Sequence, residues 1–100
     1  MRVIQKTPGC LPEFRDIPNT LEALQEAVGG YIETFTFATD ACVVCNEEGR
    51  LLDLPYNCDL LGVSFCGTIL IVGVNGDKFC DIPSDMQKLF RCLDKVEGHG

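Results

Sequence analysis

Residues 41–57, ACVVCNEEGRLLDLPYN, hold most of the side chains in this chain that could do chemistry. Cys42 and Cys45 have the C-x-x-C spacing of a zinc knuckle or a redox dithiol. Glu47 and Glu48 offer paired carboxylates. Arg50, Tyr56 and Asn57 offer a guanidinium, an aromatic face and an amide within eight positions. Which of these chemistries is available depends on the backbone that carries each set.

A zinc knuckle holds its cysteine pair on a tight turn, so that both thiolates converge on the ion. Here CVVC lies in a β-rich run, where residues three apart point to opposite faces. Cys42 and Cys45 are therefore not expected to share a metal. The sequence has no second pair with ligand spacing, and its single histidine, His99, lies next to the last residue. A redox dithiol normally opens a helix whose N-terminus stabilises the thiolate, and this pair does not. The expectation is no metal and no cofactor, with the cysteines packing as small apolar groups. Glu47 and Glu48 fall at a turn tip, where solvation leaves nothing to raise a carboxyl pKa for acid–base work. No nucleophile–base pair stands out, so no catalytic residue is assigned and the chain is not read as an enzyme.

The candidate ligand-binding residues are Arg50, Tyr56 and Asn57, with Asn46 holding the turn. Arginine meets a carboxylate or phosphate with a two-pronged contact, a tyrosine ring stacks on a base, and an amide both donates and accepts. Pro55 fixes the backbone between them. The competing reading makes the same segment a structural hairpin, with Tyr56 packed at the core's edge and Arg50 paired with a nearby acid.

The rest of the sequence sets bounds. One hundred residues imply a single domain, 1–100, with a modest core. An odd number of cysteines, seven, in a chain without a signal-peptide core points to reduced thiols. No run approaches the roughly 18 apolar residues that span a bilayer, so the expected address is cytoplasmic, with no membrane association. Fifteen acids against eight bases give a formal charge of −7, and no basic stripe with interleaved aromatics suggests nucleic-acid binding.

Strand signals occur at RVIQK, FRDI, YIETFTFAT, ACVVC, RLLDL, GTILIVGV and KFCDI. GTILIVGV is apolar on both faces and is expected at the centre of the sheet. In YIETFTFAT, Phe35 and Phe37 share one face and Thr34 and Thr36 the other. NEEG reads as a turn with Gly49 in the left-handed conformation, returning the chain into RLLDL, and Asn75-Gly76 marks a second hairpin. A first helix should start at an Asn19 cap boxed with Glu22, bury Leu21, Leu24 and Val28, and stop at Gly29-Gly30. A second should start at Ser84, with Gln87 completing its capping box and a stripe of Met86, Leu89, Phe90, Leu93 and Val96. Lys88, Arg91 and Lys95 lie in the same stretch. The expected fold class is α+β: a mostly antiparallel sheet of about six short strands with two helices.

The segments LEALQEAVGGYIE, CNEEGRLLDLPYN, GTILIVG and FCDI resemble, in this order and over nearly the whole chain, the family called domain of unknown function 3846. Its most specific element, N-E-E-G-(K/R)…L-P-x-N, is matched by Asn46, Glu47, Glu48, Gly49, Arg50, Leu54, Pro55 and Asn57. Where family members often carry an arginine after that last asparagine, this chain has Cys58, so no phosphate contact carries over there. The resemblance implies a small stand-alone protein of bacteria, phages and mobile elements, and supplies no catalytic assignment. Two expectations follow. One is a non-catalytic, homo-oligomeric sponge, with sites between protomers, that sequesters a nucleotide-derived immune signal in the cytoplasm of the bacterial host. The other is an acidic protein-binding regulator or inhibitor of a host protein, which the −7 charge favours.

Overall fold

The structure, a computed structural model, describes residues 1–49, 51–60 and 62–83. In chain order these form β1 (Arg2–Lys6), β2 (Glu13–Asp16), α1 (Leu21–Val28), β3 (Ile32–Ala38), β4 (Ala41–Asn46), β5 (Tyr56–Leu60), β6 (Val63–Cys66), β7 (Ile69–Asn75) and β8 (Lys78–Cys80). All pairings are antiparallel. The main sheet runs β2-β1-β7-β4-β3, with β8 added to β7, and β5 and β6 make a separate two-stranded sheet. No helix among the described residues is long and apolar enough to cross a membrane.

The apolar run of β7 places it centrally, as expected. Ile69, Leu70, Ile71 and Val72 are all fully buried, between β1 on one side and β4 on the other. Alternation along the strands then builds two cores. Val3, Cys42, Val44, Leu70 and Val72 face α1, which contributes Leu24 and Val28. Ile4, Val43, Cys45, Ile69 and Ile71 face the β5–β6 hairpin, which contributes Cys58, Leu60 and Phe65. The sheet is thus covered by a helix on one face and a hairpin on the other. At the end of β7, Gly73 pairs with Ala41 and Cys80 at once. A Cβ there would lie 2.0 Å from the Asp81 carbonyl oxygen, so only glycine lets the chain after β8 approach this closely. That segment also returns to β1: Ile82 N–H donates to the Arg2 carbonyl at 2.8 Å.

The α+β expectation is corrected. Strands take up 51% of the described residues, and α1 is their one helix, so the fold is mostly β. The physical reason is that, among the described residues, the second face of the sheet is covered by a hairpin. The expected second helix from Ser84, with its apolar stripe and basic residues, lies outside the described residues. Smaller corrections follow the same logic. In the expected strand RLLDL, the described residues 51–54 form a turn and not a strand, because β4 already pairs with β3 on one edge and β7 on the other and has no edge left for a hairpin partner. Strands β5 and β6, which carry no strand signal in the reading above, take the hairpin role instead. Helix α1 is capped by Thr20, whose hydroxyl accepts from Ala23 N–H at 3.1 Å. Asn19 is drawn away to donate to the Phe79 carbonyl at 3.0 Å. Leu21 is 55% exposed and leaves the buried stripe to Leu24 and Val28.

Candidate functional site

Strand β4 ends in the motif segment, and the first question is where its two cysteines point. Cys42 packs in the core under α1 and Cys45 in the core under the hairpin, so they lie on opposite faces of the sheet. No group of three or more His, Cys, Asp or Glu placed to hold a metal occurs among the described residues. Burial raises the pKa of both thiols. Cys45 is pushed up to about 11, by desolvation first and by the neighbouring Glu33 carboxylate second.

Asn46 is a structural hub. Its Nδ2 donates to the Val28 carbonyl at the end of α1 at 3.2 Å, and its Oδ1 accepts from Glu48 N–H at 2.8 Å. The side chain therefore holds the turn and ties it to the helix. The loop that follows is pinned by backbone bonds: Glu47 N–H to Tyr31 O at 2.8 Å, Leu52 N–H to Glu48 O at 2.8 Å and Leu54 N–H to Gly49 O at 3.0 Å. Among the described residues of this loop the left-handed one is Asp53, at φ 54°, and not Gly49. Gly49 is needed for another reason, since a Cβ on it would meet the Cys66 carbonyl oxygen at 2.8 Å. Arg50 lies outside the described residues.

Tyr56 and Asn57 separate. The register slips between Tyr56↔Cys66 and Cys58↔Phe65, a bulge that absorbs Asn57. Asn57 is turned inward, 5% exposed, with Nδ2 donating to Lys6 O at 2.7 Å and Gly67 O at 2.8 Å. It is a strut joining the hairpin to β1 and to the turn before β7. Its Oδ1 is buried without a hydrogen-bond partner. Tyr56 faces out, 56% exposed. Because of the bulge it shares a face with Asp59, which accepts from the Ser64 hydroxyl at 2.6 Å and from the Tyr56 hydroxyl. Those two bonds, Ser64 first, hold the Asp59 carboxyl below its usual range. The tyrosine is shifted the other way, by desolvation first and then by Asp59. Of the four sequence-predicted residues, then, Asn46 and Asn57 brace the fold and Tyr56 presents its ring to solvent.

Two features escaped sequence reading. The first is a cleft of about 280 Å³ between the β3–β4 edge and the hairpin, walled by Glu33, Phe35, Cys45, Ser64, Phe65 and Cys66. Glu33 pairs in register with Cys45, so both face the hairpin. Phe35 and Phe65 meet edge-to-face at 6.3 Å. Alternation in YIETFTFAT indicated the Phe35–Phe37 face, but nothing local showed what would face it. The second is an apolar surface on the motif loop. Leu51 is 84% exposed and Leu52 55%, and Leu52 lines a groove with Tyr31, itself 67% exposed.

Residues 1–95 match the family model described as Domain of unknown function (DUF3846). No curated protein and no solved structure matches the chain.

Proposed function

The chain belongs to the DUF3846 family, and from that premise we propose that it is a non-catalytic binding protein. In this reading it is an acidic regulator or inhibitor that docks on a basic segment of a host protein through its motif loop. The observation that carries this is the exposure of Leu51 and Leu52 on a loop held by its own hydrogen bonds, with the exposed Tyr31 beside it. Large apolar side chains held out by a preorganised backbone lose little freedom on binding and act as anchors at interfaces. The loop carries Glu47, Glu48 and Asp53, and Glu48 and Gln25 line the groove beside Leu52 and Tyr31. With the overall charge of −7, this selects a partner segment with both basic and apolar side chains. A role without catalysis is supported by the titratable groups. Cys42 and Cys45 are held protonated by burial, and Asp59 is shifted below its usual range, away from what a general acid at neutral pH needs.

A second reading, the cytoplasmic homo-oligomeric sponge for a nucleotide signal, is favoured by the exposed Tyr56 ring, which is free to stack on a base. It also rests on Arg50. Asn57 contributes to it only by releasing the Lys6 and Gly67 carbonyls.

Native mass spectrometry of the protein purified from bacterial host cells, with and without an active nucleotide-signalling defence, separates the two. Docking predicts a co-purified host protein that salt releases. A Leu51→Asp/Leu52→Asp double variant should lose that protein while its stability stays within about 0.5 kcal/mol per substitution, as for other exposed sites. A retained nucleotide with no protein partner would overturn the docking reading in favour of the sponge.

A further inference from the structure

The cleft beside Glu33 borders the motif turn at Asn46 and Gly49 and has a chemistry of its own. Three features meet there. Glu33 contributes an exposed carboxylate on the edge strand β3. Phe35, 37% exposed, and the buried Phe65 supply an aromatic wall two positions further along the same face. Ser64 lines the opposite side with its hydroxyl, which is bonded to Asp59 at 2.6 Å. No lysine or arginine is among the described residues lining the cleft.

We propose that this cleft binds a single organic cation: an alkylammonium or guanidinium head on a short apolar stem. The Glu33 carboxylate attracts the charge, while the rings accept the cation against their faces and the stem against their edges. The chain already seats one cation in this way, with the Arg2 guanidinium 4.6 Å from the centroid of the Phe14 ring. Size agrees. At about 280 Å³ the cleft lies just below the roughly 300–1,000 Å³ of sites for drug-sized ligands, so it suits a head group better than a whole nucleotide. The charge state agrees as well, because Cys45 in the same wall stays a neutral thiol. The proposal does not depend on the docking loop. A free amine and a lysine or arginine side chain of a partner carry the same chemistry.

The test is an NMR titration of the full chain with n-butylammonium, n-butylguanidinium, butyrate and n-butanol. The two cations should shift the amides of Glu33, Phe35, Ser64 and Cys66 saturably, whereas the anion and the alcohol should not. Glu33→Gln, a change at an exposed side chain, should weaken the cations about tenfold or more, the scale of losing one charge-assisted contact. Phe35→Leu should weaken them by a smaller factor while keeping the wall apolar. Leu51→Asp should leave them unchanged, which separates this site from the docking loop. A free diamine compared with a lysine-containing peptide then identifies the source of the cation. The idea is overturned if n-butanol binds as well as n-butylammonium, if Glu33→Gln binds like the wild type, or if the shifts fall elsewhere on the protein.

Discussion

Two neighbouring segments of similar apolar character, ACVVC at 41–45 and LLDL at 51–54, end in opposite environments. Every residue of the first is buried. In the second, Leu51, Leu52 and Asp53 are exposed and only Leu54 is partly covered. Hydrophobicity does not separate them; edges do. Strand β4 lies between β3 and β7, with a helix over one face and a hairpin over the other, so each of its side chains meets a packed surface. Five residues later both edges of β4 are occupied, and the chain closes into a loop bonded mainly to itself. An apolar run that cannot pair with the strand it follows stays in solvent.

The largest test of this contrast lies at the centre of the sheet. Ile71 is fully buried, paired with Ile4 on one side and Val43 on the other. Ile71→Ala should cost about 2–5 kcal/mol in chemical denaturation, because it removes buried methyl groups and leaves a cavity. A loss indistinguishable from zero would place β7 at a tolerant edge and remove the contrast. Next in size is Asn57, a motif residue that behaves as core. Asn57→Ala strands the Lys6 and Gly67 carbonyls, and an unsatisfied buried group costs about 1–3 kcal/mol. Equilibrium unfolding should show this destabilisation with or without any ligand. A variant as stable as the wild type that had lost ligand binding would return Asn57 to the binding site.

What was legible in the sequence divides along the same line. Elements specified by local chemistry could be read: the doubly apolar β7, the Phe35–Phe37 face, the Gly29 stop of α1 and the hairpin at Asn75-Gly76. The opposite orientations of Cys42 and Cys45 follow from alternation alone. Elements that depend on distant partners could not. RLLDL resembles a strand until β3 and β7 have taken both edges of β4. The bulge at Asn57 breaks the alternation that would have marked β5, and it also turns Asn57 inward and leaves Tyr56 outside. Asn19 and Thr20 are both good caps, and a carbonyl on β8, sixty residues away, decides between them. The cleft needed Phe65 brought to Phe35 across the sheet, which no window of sequence contains.

The smallest expected effect lies at the seam between the two regions. Cys45 is the last apolar residue of β4 before the motif turn, 9% exposed, and its Sγ donates to the Glu33 carbonyl at 3.6 Å. In the folded chain its pKa rises from 9.0 to about 11, mainly through burial and partly through the Glu33 carboxylate. Unfolding exposes the thiol to water, where it ionises near its ordinary value. Between the two values the unfolded chain has released a proton that the folded chain retains, so stability falls as pH rises. The contribution of Cys45 is therefore intact below about pH 9 and lost progressively on the way to about pH 11. Cys42 and Tyr56 are also shifted upward and act in the same direction, so the informative measurement is a difference. Denaturation midpoints of wild type and Cys45→Ala, compared across that range, should converge as the pH rises, because the variant lacks the thiol that must be kept neutral. Glu33→Gln should bring down the upper end of that window and shrink the total loss, because it removes the second cause and leaves the first. A constant gap between wild type and Cys45→Ala at every pH would show that Cys45 is solvated like the loop that follows it, and the boundary between core and exposed loop would then fall before residue 45.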